Sequence, residues 1–422
     1  MIVETPRIEV GPDEVRVEAT VAIERAGRAR PRTLWFSFPP AYRPAVSSAA
    51  DGLASALLPL AMHLGEPLTV RGPLSTRLAA GLRDYRRIQS IWYPHLFSDV
   101  ELRCDGFEGR TRTGAPGGVA MPFSGGVDSF HALMTHLSGS EPHASFRVTH
   151  CLMIDGFDGD SDPSGTGSFR RIRDLYKPVM AAHGVELLVV RTNLLGFLGP
   201  LVRAKSFNTF LTAPALMLGN TFSRLLIPST FDVKTIGRYP GGSNLMLDHL
   251  LSTETMEVWH ADAHLSRIEK TLALPRWPET FALLRVCHGA TGVQEGSSAI
   301  ANCCACEKCV RTMVTLDLAG LLGRFTCFPR QLTPYAMRNI AFADPGRVLF
   351  AREVIEYAVR VGRRDVARRL RISIAKTRLH ARLWPIAAAS SRLEKRSRVY
   401  AAIVALPKRF LKLIGFGRDW LY

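Results

Sequence analysis

The sequence predicts an α/β fold in which a parallel sheet carries helices on both faces. Three observations predict it. Between Gly117 and Asp262, short apolar runs alternate with stretches of helical periodicity, as strand–helix–strand units do. The runs at 148–154 (VTHCLMI), 186–190 (ELLVV) and 225–228 (LLIP) are mostly apolar rather than strictly alternating, which is how strands buried on both faces read. A further run, 119–123 (VAMPF), leads straight into two glycines and then a helical stretch. Ligands of such sheets sit beyond the carboxyl ends of the strands.

The elements follow in chain order. Residues 1–112 read as an α+β module. Val15, Val17, Ala19 and Val21 alternate as in a half-buried strand, and 33–38 (TLWFSF) is a second strand stopped by Pro39 and Pro40. Leu53, Leu57, Leu60, Ala61 and Leu64 recur at helical spacing, and Gly65 closes that helix. Residues 113–330 hold the sheet, with helices expected at 129–137 and 169–182, and then a mostly helical stretch around a cysteine cluster. Residues 331–422 read as a basic, helical C-terminal segment.

The charge is unevenly placed. The 422-residue chain carries a net +17, and the segment from Gln331 holds 20 Lys/Arg against 6 Asp/Glu, or +14, which leaves +3 for the rest. Such a block suits RNA or an anionic membrane surface, or else a solvated helix face. Arg368, Arg369, Arg371, Arg378 and Arg382 are followed by Trp384, Phe410, Trp420 and Tyr422, a basic and aromatic mixture compatible with either partner. No apolar run has the length of a transmembrane segment, and the first ten residues lack a secretory pattern, so a cytoplasmic protein is expected.

The chemistry concentrates in two motifs. In the first, Ser124, Gly125, Gly126, Val127, Asp128 and Ser129 join a strand to a helix. Paired glycines let the backbone approach a ligand closely, and the free amides and dipole of the helix start attract an anion. Ser124 and Ser129 add hydroxyl donors. Asp128 suits Mg²⁺ or a role in fixing the loop. The Gly-Lys-Ser/Thr ending of a Walker loop is absent, as is the third glycine of a dinucleotide fingerprint.

The stretch resembles the PP-loop family, the N-type ATP pyrophosphatases, whose Ser-Gly-Gly-any-Asp-Ser signature is met at Ser124, Gly125, Gly126, Asp128 and Ser129. The resemblance implies an adenine nucleotide alpha hydrolase-like (HUP) fold and a loop that binds the pyrophosphate of ATP. It also implies an enzyme of the ligase or synthase type that transfers AMP to a substrate oxygen. Asp128 and Ser129 are then the expected catalytic residues.

In the second motif, Cys303, Cys306 and Cys309 are spaced C-x2-C-x2-C, and Cys287 lies sixteen residues upstream. Four thiolates of this spacing suit a closed structural zinc site, with an iron–sulfur cluster as the alternative. Cys304 is expected to be a bystander. The arrangement is similar to that of the 7-cyano-7-deazaguanine synthases, a PP-loop branch with one upstream Cys and the same triple; the longer upstream spacing here points to a different substrate.

Weaker signals complete the reading. Asp158, Asp160 and Asp162 lie in an acidic loop that lacks the glycine and glutamate of an EF-hand and reads as a solvated loop or a lid. Ser229, Thr230 and Asp232 follow a strand, where they meet a ligand or cap a turn. Arg267 and Lys270, one helical turn apart, and Lys205 are candidate phosphate ligands or surface charges. His249 and His264 are isolated.

The functional expectation is an ATP-dependent, AMP- and pyrophosphate-forming enzyme. It would adenylate a carboxylate, amide or carbonyl oxygen of a small molecule for attack by a nitrogen or sulfur nucleophile. Two alternatives stand: a tRNA-modifying enzyme of the thiolation type, and a non-catalytic adenine-nucleotide-binding regulatory module.

Overall fold

The computed structural model describes residues 1–25, 28–112, 117–156, 168–287, 292–294, 296–342 and 345–394, apart from the side chains of 24–25, 28–30, 168 and 380–394. Asp158, Asp160 and Asp162, and the aromatic residues beyond 394, lie outside the described residues. The chain forms two compact units. One comprises 1–285 with 290–300, and the other 286–289 with 301–422.

The first unit is built on one large sheet. Its strands are β1 (Ile2–Val3), β2 (Arg7–Val10), β3 (Val15–Arg25), β4 (Arg28–Phe38), β5 (Leu68–Ser75), β6 (Leu102–Glu108), β7 (Gly118–Pro122), β8 (His150–Asp155), β9 (Glu186–Thr192), β10 (Phe222–Pro228) and β11 (Glu257–Ala261). Their spatial order is β11-β10-β7-β8-β9-β4-β3-β1-β5-β6, with β2 on β3. From β11 to β9 all pairings are parallel. The sheet is nevertheless mixed. β4 pairs antiparallel with β9 through Phe36↔Thr192 and Ser37↔Arg191, and β3 and β1 continue antiparallel, so the N-terminal strands extend the parallel sheet. The pattern of 33–38 does not reveal this, because an edge strand and a strand shared between two halves of a sheet are both apolar.

The helices of this unit are α1 (Asp51–Leu64), α2 (Thr76–Trp92), α3 (Val127–Thr135), α4 (Ser168–Ala182), α5 (Pro200–Leu216), α6 (Val233–Ile236), α7 (Arg267–Ala273) and α8 (Thr280–Leu283). α1 ends where Gly65 adopts φ 69°, a left-handed cap that only glycine takes freely. α1, α2 and α5 share one core with Ala120, Leu152, Leu188, Val190, Phe222, Leu225, Ile227 and Val258, which strands β7 to β11 contribute to that face. α5 breaks at Ser206 (φ −147°, ψ 27°).

Strands β7 to β11 carry the feature that places a site. β8 and β9 lie on one side of β7, and β10 and β11 on the other, so the order of connection reverses between β7 and β10. At such a reversal the loops leaving the two strands diverge to opposite faces and open a crevice at their carboxyl ends. The segments leaving β7 and β10 are 123–126 and 229–232. The alternating strands and helices read from the sequence correspond to β7, α3, β8, α4, β9 and β10.

The second unit holds α9 (Glu307–Leu318), α10 (Pro334–Arg338), α11 (Pro345–Arg360) and α12 (Arg364–Glu394). Its core includes Val310, Met313, Leu316, Phe342, Val354, Ala358, Val366 and Leu370. No helix among the described residues is long and apolar enough to cross a membrane.

Candidate functional site

β7 delivers the chain into the glycine turn through a carbonyl-to-amide bond from Phe123 N–H to Leu152 O, 2.8 Å. Gly125 takes φ 74°, and a Cβ there would lie 1.9 Å from the Tyr176 hydroxyl, so no other residue fits. Tyr176 is itself pinned, since its hydroxyl donates to Leu283 O at 3.0 Å. Arg285 N–H donates to Gly125 O at 2.7 Å. Gly126 is the N-cap of α3, with no side chain accepting from the first-turn amides, which stay available to a ligand. Ser124 Oγ accepts from Gly126 N–H (3.3 Å) and lies 3.3 Å from Ser129 Oγ, which donates to Gly126 O at 3.1 Å. The turn is thus held by hydrogen bonds within the protein itself.

The charges around it are paired across elements. Asp128 forms an ion pair with Arg267 at the first residue of α7. That helix start is fixed by a capping box in which Glu269 N–H donates to Ser266 Oγ and Ser266 N–H donates to Glu269. The second oxygen of Asp128, Oδ1, is buried with no hydrogen-bond partner. One turn on, Lys270 is 1% exposed, and its ammonium donates to Ser229 O (2.7 Å) and to the Ser229 hydroxyl. Lys270 is therefore a buried tie between α7 and the end of β10, and neither it nor Arg267 is a surface charge. Asp232 caps α6 by accepting from Thr235 N–H at 2.8 Å. His264 and His249 are exposed.

Four residues that the sequence did not single out form two further pairs. His131 of α3 lies 2.8 Å from Asp262 at the end of β11, and Asp262 adopts φ 59°. Burial pushes the Asp262 carboxyl upward, but the His131 hydrogen bond and charge outweigh it and hold the acid below its ordinary range. On the other face, His260 Nδ1 sits 2.8 Å from Asp248, which also accepts from Asn208 (2.9 Å) and Ser243 (2.6 Å), and His260 Nε2 is buried without a partner. An isolated His in a short strand carries no signal in sequence, because its partner is twelve residues away, at the start of a 3-10 turn.

In the second unit, Cys287, Cys303, Cys306 and Cys309 bring their sulfurs within 4.8 Å of one another. The separations are 3.4 Å for Cys306–Cys309, 3.7 Å for Cys303–Cys309 and 3.9 Å for Cys306–Cys287. A tetrahedral ion with sulfur ligands at about 2.3 Å requires sulfurs about 3.8 Å apart, so the quartet fits a metal such as zinc. Cys306 is the N-cap of α9, and the amides of Ala305 and Cys306 donate to Cys303 Sγ at 3.4 and 3.3 Å, which stabilises a thiolate there. Asn302 ties the two segments together. Its Oδ1 accepts from Val286 and Cys287 N–H, and its Nδ2 donates to Cys327 O. Cys304 turns away with φ 58° and donates to Asn302 O, outside the quartet.

No protein-family model, curated protein or solved structure matches the chain.

Proposed function

We propose that the chain is an ATP-dependent enzyme of the PP-loop type, which forms AMP and pyrophosphate while adenylating an oxygen of a small molecule. The observation that carries this reading is the Ser124–Ser129 turn. It is a sterically enforced glycine turn opening a helix at the one reversal of strand order in the parallel part of the sheet. The free amides of α3 and the Ser124 and Ser129 hydroxyls take the β- and γ-phosphates. The unpartnered Asp128 Oδ1 suits a magnesium ion, whose charge would offset that of the departing pyrophosphate. Arg267, held beside Asp128, orients that carboxylate. The substrate oxygen attacks the α-phosphorus, the bond to the bridging oxygen breaks, and a nitrogen or sulfur nucleophile then displaces AMP. The cysteine quartet holds zinc with no open position, and so supplies structure to its unit.

The test is pyrophosphate release from ATP by the full chain across a panel of small carboxylates, with Asp128→Ala as control. AMP and pyrophosphate formed in equal amounts, and lost in the control, support the reading. Tight ATP binding with the nucleotide left intact throughout would assign the chain to the non-catalytic regulatory class instead. A second reading, modification of RNA, is favoured by one observation. A groove of about 400 Å³ between α11 and α12 gathers Arg352, Arg371 and Arg378.

A further inference from the structure

Lys205 is a half-buried cation on α5, and among the described residues no carboxylate lies within ion-pair reach of it. Half-buried ammonium groups are ordinarily paired or extended into water. This one is held by aromatic rings. Its nitrogen is 5.0 Å from the centroid of Tyr93 and 4.4 Å from that of Tyr239, and it donates to the Tyr239 hydroxyl. The ring faces attract the cation but leave its charge uncancelled.

Its position is built by the break in α5. At Ser206 the helix leaves its path, and the carbonyl of Lys205 is taken up by Gln89 Nε2 at 2.8 Å. Asn208 N–H donates to Gly242 O at 3.2 Å. Gly242 packs on the break so closely that a Cβ would come within 2.7 Å of the Phe207 ring and 2.8 Å of Ala204 O. The turn carrying Tyr239 is thereby seated against Lys205. Tyr239 in turn meets Phe231 edge to face, with centroids 5.5 Å apart, and Phe231 is three residues beyond the end of β10. A chain of contacts therefore runs from the strand end beside the phosphate turn to an uncompensated ammonium.

We propose that Lys205, flanked by Tyr93 and Tyr239, recognises a carboxylate of the acceptor molecule; this rests on the adenylating reading of the same site. A single ammonium matches a single negative charge, and the tyrosine rings suit a flat carboxylate such as an aryl acid. The other source of an anion is ATP itself, and the experiment separates the two.

Benzoate and ATP affinities are measured by calorimetry on the full chain and on Lys205→Met and Tyr239→Phe. Lys205→Met is expected to weaken benzoate about tenfold or more, the worth of one charge-assisted hydrogen bond, with ATP affinity unchanged. Tyr239→Phe keeps the ring and is expected to keep benzoate binding within about threefold. In the unaltered chain, saturating benzoate is expected to protect Lys205 from acylation by an amine-reactive reagent, read by mass spectrometry. That readout stands even if Lys205→Met fails to fold. Equal benzoate affinity in wild type and Lys205→Met, no protection of Lys205, or a loss confined to ATP would overturn the assignment. Absence of ATP binding in the wild type would remove the adenylating reading while leaving the benzoate comparison to decide Lys205.

Discussion

At the residue scale, the two glycines of the Ser124–Ser129 turn are unequal. Gly125 holds φ 74°, and its missing Cβ makes room for the Tyr176 hydroxyl, whereas at Gly126 (φ −82°) a Cβ would meet Ser124 Oγ at 3.2 Å and Arg285 O at 3.6 Å. An alanine in left-handed backbone costs about 1–2 kcal/mol, and forcing a buried ring aside costs about 1–3 more. Gly125→Ala is therefore expected to destabilise by about 2–4 kcal/mol and to abolish ATP affinity. Gly126→Ala should stay within about 1 kcal/mol of wild type, since its neighbours need give only slightly. Denaturant unfolding with calorimetric ATP titration separates them. If both variants bind ATP as the wild type does, the turn is not the nucleotide cradle.

At the scale of elements, a metal ion held by the four cysteines would tie down the start of α9. Cys306 is its N-cap and Cys309 lies in its first turn, while Cys287 joins them from a separate segment. Binding free energy of a structural metal is folding free energy. Cys306→Ser combined with Cys309→Ser should lose stoichiometric zinc and lower the melting temperature, and a chelator should do the same to the wild type. A wild type that is metal-free by elemental analysis yet fully folded would contradict the site. These elements also mark how far the sequence was legible. C-x2-C-x2-C and Ser-Gly-Gly-x-Asp-Ser are local patterns, so their residues could be placed from the chain alone. β11 was not, because Trp259 is 45% exposed on an edge strand and the five-residue run EVWHA carries Glu257 and His260 among its apolar residues. The union of N-terminal and parallel strands in one sheet was equally hidden, since Phe36↔Thr192 pairs residues 156 positions apart. His131–Asp262, Arg267–Asp128 and Lys270–Ser229 were missed as pairs for the same reason. Each joins different strands or helices, and no spacing along the chain encodes that.

At the scale of the molecule, the net +17 belongs chiefly to the C-terminal segment, where +14 lies beyond residue 330. On α12, Arg364, Arg368, Arg371, Ala375 and Arg378 fall within one stripe at 100° per residue, and all are exposed. Arg352 on α11 joins Arg371 and Arg378 in the groove, over a floor of Ile355 and Ile374, with Glu356 the one acid among its lining residues. Such a stripe binds a polyanion chiefly by releasing counterions, so its signature is a salt slope rather than a single affinity. For single-stranded RNA each lost phosphate contact removes about 0.7 from the slope of log K against log salt, and three lost contacts remove about 2. Replacing Arg352, Arg371 and Arg378 together by Gln should flatten the slope by that amount without changing ATP affinity. Fluorescence anisotropy of a labelled oligonucleotide over a salt series measures it. An unchanged slope would show that these arginines meet no phosphates. Binding of the wild type to anionic vesicles but not to RNA would move the whole segment to a membrane surface, where exposed Ile372 and Leu379 beside the stripe would enter the headgroup boundary.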